Sequence, residues 1–419
     1  MPRFNSLPAW LAWQETLHPQ KIDLGLTRVA GVAQRMGLLQ PEYGVITVAG
    51  TNGKGSSVAL LAAILGAAGY RTGSYSSPHL LRYNERISIA GQLASDAELC
   101  HAFECVDRAR GQETLSYFEF GTLAALHLFA GAGLDLALLE VGMGGRLDAV
   151  NIVDPDAALV TSIDIDHSAW LGSDREAIGR EKAGIFRPGR PAVCADPAPP
   201  ACLEKAAAGL GASWFALGRH FSYDLSGSGW NWQGPDSSHR QMPLPALAGA
   251  QQFDNAAGVL MVLESLRERF PVSRESIDTG LRSVTLAGRF QILPGQVDMI
   301  LDVAHNPASG RRLAQMLGDF PTSGNTWLVI GMLKDKDVAA FMESLQHTVD
   351  HWCLASLDSE RGLPAAELRQ MLPVVANDAY EFPNVAAACH YARTQAAAGD
   401  RIVVSGSFIT VAEAMSCHV

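Results

Sequence analysis

The stretch GVITVAGTNGKGSS, residues 44–57, runs from apolar and β-branched residues through a glycine-rich turn to a lysine and then into a helical pattern. Residues 44–49 read as a buried strand, and the helix is expected to start near Gly55. Gly50, Gly53 and Gly55 let the backbone turn tightly and bring N–H groups against phosphate oxygens, while the helix N-terminus adds a favourable dipole. Lys54 supplies a point charge for β- and γ-phosphates, and Thr51, Asn52, Ser56 and Ser57 complete the loop. In the common form GxxxxGK[ST] a hydroxyl residue follows the lysine. Here Gly55 stands in that place, so Ser56 or Ser57 takes over its duty or the metal ligand comes from elsewhere. A lone glycine pattern would more often be an ordinary strand-to-helix turn. Strand, loop, lysine and helix together point to nucleotide phosphate, without separating a ligase from a kinase or a GTPase-like protein.

Working outward, the same plan repeats: a short apolar run, a glycine or polar turn, then a helical pattern. Residues 45–49, 134–139 and 157–163 fit buried strands in the first half, and residues 299–303, 327–330 and 401–405 do so in the second. Strands alternating with helices predict mainly parallel sheets covered on both faces. The 419 residues exceed what one core usually organises, so two α/β domains are expected: 1–290 with the phosphate loop and 291–419 as a Rossmann-like domain. The stretch LAGRFQILPG, residues 286–295, reads as the junction. Residues 219–245, rich in Gly, Ser, Trp and Pro, read as irregular or antiparallel structure at an edge, and helices are expected near 254–269 and 273–282.

Hydrophobic residues make up 48% of the chain and charged residues 18%, which is enough apolar material for packed cores. The net charge of -11 disfavours a general attraction to nucleic acid or anionic membranes. Residues 1–18 lack the form of a secretory signal, and the longest apolar run, 58–70, is too short to span a bilayer. These features predict an intracellular, cytoplasmic protein. The seven cysteines are scattered, with no CxxC pair and no Cys/His spacing of a zinc site, and read as reduced thiols.

In a doubly wound sheet the ligand sits beyond the carboxyl ends of the strands. Three further segments fall there: SSPHL (76–80), Glu140 in LLEVGMGGRLDAVN, and Asp164, Asp166 and His167 in SIDIDHSAWLG. An acid ending an apolar strand calls for a cation, which for Glu140 is either Mg²⁺ or an arginine such as Arg146. His167 by position alone is a cap or core histidine, since imidazole is an uncommon Mg²⁺ ligand. Lys182, in GREKAGIF, reads by itself as an exposed helical lysine.

Taken together, GTNGKGS, SSPHLLRYNERI, LLEVGMGGRLD, DHSAWLG, REKAGIF, GRFQ and DVAHNP stand in the order and spacing of one family. The chain resembles dihydrofolate synthase/folylpolyglutamate synthase, a branch of the Mur-type ATP-dependent amide ligases, from about residue 22 to SGSF at 405–408. DAVN replaces the family's frequent DATN, and Met143 a frequent leucine. The resemblance implies ligation of L-glutamate to 7,8-dihydropteroate and to reduced folates through an acyl phosphate, with ATP as co-substrate and Mg²⁺, two per site. It assigns ATP contacts to the phosphate loop and to Asn255, Arg289 and Asp302, with ATP between the domains. It assigns metal binding to Ser77, Glu140, His167 and Lys182, the last as a carbamate. Pterin contacts fall to Lys21, Ile22, Asp23, Leu24, Ser116, Tyr117, Phe118, Glu119, Leu147, Asp148 and Ala149, where aromatic faces of SYFE can stack on a flat ring and the carboxylate can accept its N–H groups. His305, Asn306 and Ser407 would hold the incoming glutamate, with Lys54, Lys182 and His305 nearest the chemistry. The partners implied are small molecules only, with the chain acting as a monomer. The rival readings are a Mur-type ligase acting on a UDP-sugar cell-wall precursor and a P-loop ATPase used as a regulatory module.

Overall fold

The computed structural model describes residues 3–20, 23–372 and 378–417. Two compact units divide the chain: Met1–Ala246 with Gln252–Thr285, and Leu247–Gln251 with Leu286–Val419. The break at Thr285 falls directly before LAGRFQILPG, slightly N-terminal of residue 290.

The first unit opens with helices α1 (Leu7–Leu17) and α2 (Thr27–Arg35), then strand β1 (Gly44–Ala49) and helix α3 (Lys54–Ala67). Every residue of β1 is buried, as its continuous apolar run requires of a strand covered on both faces. Strands β2 (Thr72–Tyr75), β3 (Ile87–Ile89) and β4 (Gln92–Leu93) follow, then the helices α4 (Asp96–Arg110) and α5 (Tyr117–Ala130). Strands β5 (Leu136–Glu140) and β6 (Ala157–Val160), helices α6 (Ser168–Leu171) and α7 (Arg175–Lys182), then β7 (Pro191–Cys194), α8 (Ala201–Leu210) and β8 (Ser213–Ala216) complete the main layer. Among the described residues the sheet has eight strands in the order β4-β3-β2-β5-β1-β6-β7-β8. It is parallel from β2 to β8, while β3 and β4 add an antiparallel edge.

Register decides what meets at the carboxyl edge. Val48 on β1 stands opposite Glu140 on β5 and Leu159 on β6, so the segments leaving these strands emerge side by side. Strand β5 runs one residue further than its apolar pattern suggests, because the Glu140 backbone pairs whatever its side chain does. Strand β6 stops at Val160 rather than 163, since the next backbone groups turn toward the phosphate loop, with Ser162 O accepting from Thr51 N at 2.7 Å.

Residues 219–245 form a separate antiparallel sheet of β9 (Ser222–Ser226), β10 (Gly229–Gln233) and β11 (Ser238–Met242). Buried Trp230 and Trp232 anchor it, donating their indole N–H groups to Pro243 O at 2.9 Å and Ala257 O at 3.2 Å. Helices α9 (Gln251–Ser265) and α10 (Arg274–Ser283) follow.

The second unit contains β12 (Gln291–Leu293), β13 (Asp298–Leu301), α11 (Pro307–Asp319), β14 (Thr326–Ile330), α12 (Val338–Leu345) and β15 (His351–Ala355). It ends with α13 (Ala365–Gln370), β16 (Asp378–Phe382), α14 (Val385–Gln395), β17 (Arg401–Ser405) and α15 (Phe408–Ser416). The strand order is β12-β13-β17-β14-β15-β16, parallel except for β12. Its core gathers Ile300, Leu328, Ile330, Phe341, Trp352 and Val403.

Among the described residues no helix is long and apolar enough to cross a membrane. The seven cysteines are all free. One departs from the sequence reading: the ligand atoms of Cys105, His101 and His127 lie within 4.8 Å of one another. Linear spacing hid this group because His127 comes from a different helix.

Candidate active site

The phosphate loop is fastened to the segment beyond β6. Gly50 has φ 154°, and a Cβ there would lie 1.7 Å from Thr161 Oγ1, so only glycine fits. Thr161 and Ser162 hydroxyls donate to Asn52 O at 2.7 and 3.1 Å, while Thr51 Oγ1 donates to Asp164 O at 2.9 Å. Gly53 caps α3 in the left-handed region at φ 92°, and a Cβ there would meet Asn255 Oδ1 at 2.5 Å. Asn255 on α9 therefore leans on the loop. Its amide donates to Gln252 Oε1 at 3.0 Å, and Gln252 in turn reaches Ser56 Oγ at 3.5 Å.

Lys54 arches back so that its Nζ donates to Gly50 O at 3.1 Å and Thr51 O at 3.2 Å. Lys182, at the end of α7, is 3% exposed and donates to the same Gly50 carbonyl at 2.8 Å. Burial pushes the Lys182 amine down to about 7, and the charge of Lys54 pushes the same way, with Asp166 and Asp148 opposing. The reading of Lys182 as a solvated surface lysine fails here, because α7 packs against the glycine-rich turn after β5. A Cβ on Gly145 would lie 2.9 Å from Glu181 O, and one on Gly184 would lie 2.4 Å from Arg146 Cα.

Arg146 forms an ion pair with Glu181, at 2.9 Å. Glu140 is buried at the end of β5, and its Oε2 accepts from Ser77 N at 3.3 Å. The Ser77 backbone thus stands beside the Glu140 carboxylate, and hydroxyl and carboxylate oxygens are the hard donors that Mg²⁺ and Mn²⁺ take. His167 lies on the same sheet edge with φ 51°, and its backbone N–H donates to Asp166 Oδ1 at 2.8 Å. Imidazole is the least typical member of this donor set.

Asp148 is buried, capping the turn Ala149–Ile152 with Oδ1 accepting from Val150 N at 3.1 Å, and its Oδ2 accepts from Met143 N at 2.9 Å. Burial raises its carboxyl to about 6, against the pull of those backbone N–H groups and of Lys54. Leu147 and Ala149 flank it in the same turn.

Ser116 and Glu119 form a capping box at the start of α5, with Ser116 N donating to Glu119 Oε2 at 2.7 Å. Arg28 adds a second donor to Glu119 at 3.2 Å and also pairs with Asp23 at 2.6 Å. The Phe118 ring lies against Gly142, where a Cβ would come within 2.6 Å of it, and against Tyr75 at 5.7 Å. Tyr117 meets Tyr83 edge-on at 5.8 Å, with the Arg86 guanidinium 5.5 Å from its ring. Leu24 is half-buried on the approach to α2. Lys21 and Ile22 lie outside the described residues. Arg28 and Arg86 escaped the sequence reading, although Arg86 sits inside the quoted motif SSPHLLRYNERI and Arg28 lies just past residue 22, where the resemblance begins.

In the second unit Asp302 follows β13 and accepts from Phe290 N at 2.9 Å and Ala304 N at 2.8 Å. Burial raises its pKa while the charge of Arg289 lowers it. The Arg289 guanidinium lies 5.2 Å from the Phe408 ring. His305 Nδ1 contacts Val303 O at 2.8 Å; because a carbonyl only accepts, Nδ1 carries the proton. Asn306 and Ser407 cap α11 and α15, accepting from Ser309 N at 2.9 Å and Thr410 N at 3.0 Å. Two helix N-termini therefore open at this edge of the second sheet.

Comparison with known proteins supplies the context for this arrangement. The model of the Mur ligase middle domain matches residues 48–195, and that of the Mur ligase glutamate ligase domain matches residues 288–408. The chain is 44% identical over 411 residues to the dihydrofolate synthase/folylpolyglutamate synthase of Escherichia coli K12, covering 98% of this chain and 95% of that one. The solved structure of E. coli FolC in complex with DHPP and ADP superposes with a TM-score of 0.93 at 44% identity, covering 98% of this chain and 97% of that one. A bifunctional folylpolyglutamate synthase/dihydrofolate synthase with Mn, AMPPNP and L-glutamate bound superposes with a TM-score of 0.92 at 46% identity, over 99% and 98% of the two chains.

Proposed function

The chain belongs to the dihydrofolate synthase/folylpolyglutamate synthase family of Mur ligases, and on that premise we propose how its own residues carry the reaction. It is an ATP-dependent ligase that joins L-glutamate to 7,8-dihydropteroate, giving dihydrofolate, and adds further glutamates to reduced folates. ATP is a substrate and a divalent metal ion takes part. The single observation that carries the residue assignment is the convergence of Lys54 and Lys182 on the Gly50 carbonyl, at the strand edge where Glu140 and Ser77 meet.

An amide does not form from a free carboxylate in water without activation. The γ-phosphoryl group of ATP passes to the pteroate carboxylate, ADP leaves, the amine of glutamate attacks the acyl carbon, and phosphate departs. In our reading the N–H groups opening α3 cradle the β- and γ-phosphates together with the loop from Gly50 to Ser57, and Lys54 shifts from the loop carbonyls to the transferring oxygens. Asn255 supports the loop, and Arg289 and Asp302 take the rest of the nucleotide. Mg²⁺, two ions per site, fits Ser77, Glu140 and His167 together with a carbamate on Lys182. Those ions supply positive charge to the phosphate oxygens.

The carbamate rests on chemistry local to Lys182. A neutral amine adds to CO₂, forming an N–C bond and releasing one proton, and an amine held near pH 7 is neutral often enough to react. The pterin lies against Tyr117, since Phe118 is already covered by Gly142 and the Glu119 carboxylate already accepts two donors. Asp23, Leu24, Leu147, Asp148 and Ala149 complete that side. Glutamate carboxylates suit the helix N-termini that Asn306 and Ser407 cap, and the Nδ1–H tautomer of His305 turns Nε2 into the atom that takes a proton from the attacking amine. Residues 1–290 thus carry the phosphate loop and the pterin side, residues 291–419 hold glutamate and contribute Asp302 to the nucleotide, and the chain works as a monomer in the cytoplasm.

Purified protein given 7,8-dihydropteroate, ATP, L-glutamate and Mg²⁺ is expected to yield dihydrofolate by mass spectrometry, with phosphate release dependent on all three substrates. Phosphate release indifferent to dihydropteroate would instead support a regulatory ATPase.

A further inference from the structure

Helices α4 and α5 are joined by the short segment 111–116 and pack as an antiparallel pair. His101 and Cys105 stand one turn apart on α4, so their side chains share a face. His127, near the end of α5, meets that face: the two imidazole centroids are 6.3 Å apart, and Cys105 Sγ is 3.9 Å from His101 Nε2. One ligand atom from each residue lies within 4.8 Å of the others. His101 is exposed, while Cys105 and His127 are half-buried, so an ion from solvent reaches the group directly.

The ligase reaction uses none of these three side chains. His127 lies about 15 Å along α5 from Tyr117, counting helical rise. The donors also differ in kind from those near Glu140: two imidazoles and a thiol select a borderline or soft ion, not Mg²⁺. Tetrahedral zinc needs ligand atoms about 3.3–3.7 Å apart. Closing from the present spread takes about 1 Å.

We propose that His101, Cys105 and His127 form a surface site for one Zn²⁺ ion, with water as the fourth ligand. Three protein ligands and an open position make the ion exchangeable. Because the ligands come from two helices, the ion staples α4 to α5 and binds the folded chain in preference to the unfolded one.

The test uses the full chain, dialysed against a chelator and titrated with Co²⁺ in excess Mg²⁺ so that oxygen-rich sites are already filled. A thiolate-to-cobalt absorption band in the near ultraviolet, with tetrahedral visible bands, is expected to saturate at one equivalent and vanish on adding Zn²⁺. Cys105→Ser should abolish the thiolate band. His127→Ala should weaken binding by about 100-fold or more, since loss of a ligand exceeds the 10–100-fold effect of losing an outer-shell partner. Cys417→Ser, an exposed thiol elsewhere, should change nothing. Zn²⁺ should raise the melting temperature of the wild-type chain but not of His127→Ala, with circular dichroism confirming that both are folded. Absence of the band in wild type, its persistence in Cys105→Ser, or equal affinity in His127→Ala would each overturn the proposal.

Discussion

One peptide oxygen, that of Gly50, accepts hydrogen bonds from two lysines, and burial together with the charge of Lys54 makes Lys182 the easier of the two to discharge. Lys54 can follow phosphate, but Lys182 is walled in by the turn after β5 and has little freedom to leave. If it acts as a carbamate, Lys182→Ala should cut turnover by about 10²–10³-fold, the scale of losing one group that stabilises transition-state charge. Acetate or formate should restore part of that activity by occupying the vacated position. Loss without rescue would favour a protonated Lys182 contacting phosphate, and full activity in CO₂-depleted buffer would exclude the carbamate. Glu140→Gln keeps the side-chain shape and the bond from Ser77 N but removes the anionic charge. Half-saturating Mg²⁺ is expected to rise at least about tenfold with a lower kcat. An unchanged Mg²⁺ dependence would make Glu140 purely structural.

At the scale of the element, the start of α5 carries two tasks at once. The Ser116–Glu119 box satisfies N–H groups that the first helical turn leaves open, and Arg28 ties that turn to Asp23 on the approach to α2. The SYFE segment is therefore held from both sides, with Tyr117 left as its adaptable member. Ser116→Ala removes the acceptor for Glu119 N and should cost about 1 kcal/mol, read as a lower melting temperature. If the same turn supports the pterin, as proposed, KM for dihydropteroate should rise several-fold while KM for ATP stays constant. A change in ATP KM alone would detach this helix from pterin binding.

For the whole molecule, the buried charges near the phosphate loop make stability depend on pH. Lys182 is lowered to about 7 from its ordinary 10.5, so between those values the unfolded chain binds more protons than the folded one. Its contribution to stability therefore improves as pH rises from 7 toward 10, and its penalty is constant below 7. Asp148 acts oppositely at lower pH: raised to about 6 from 3.8, it makes the folded chain the better proton binder, so stability falls as pH rises through that window. Ligand-free Lys182→Met should melt above wild type at pH 7, with the gap narrowing steadily as pH rises toward 10; parallel curves would contradict the placement of the charge. The sequence alone determined the two α/β blocks, the phosphate loop and the strand-end position of Glu140, because apolar runs, glycines and strand ends are local signals. It also carried the family motifs. What only the tertiary structure decided was partnership: that Arg146 serves Glu181, that Lys182 is buried against Gly50, that Arg28 bridges Asp23 and Glu119, and that His127 joins His101 and Cys105. Each of these depends on which side chains the packing of separate elements brings within a few ångströms, and on how much water that packing removes, neither of which is written in the spacing of residues along the chain.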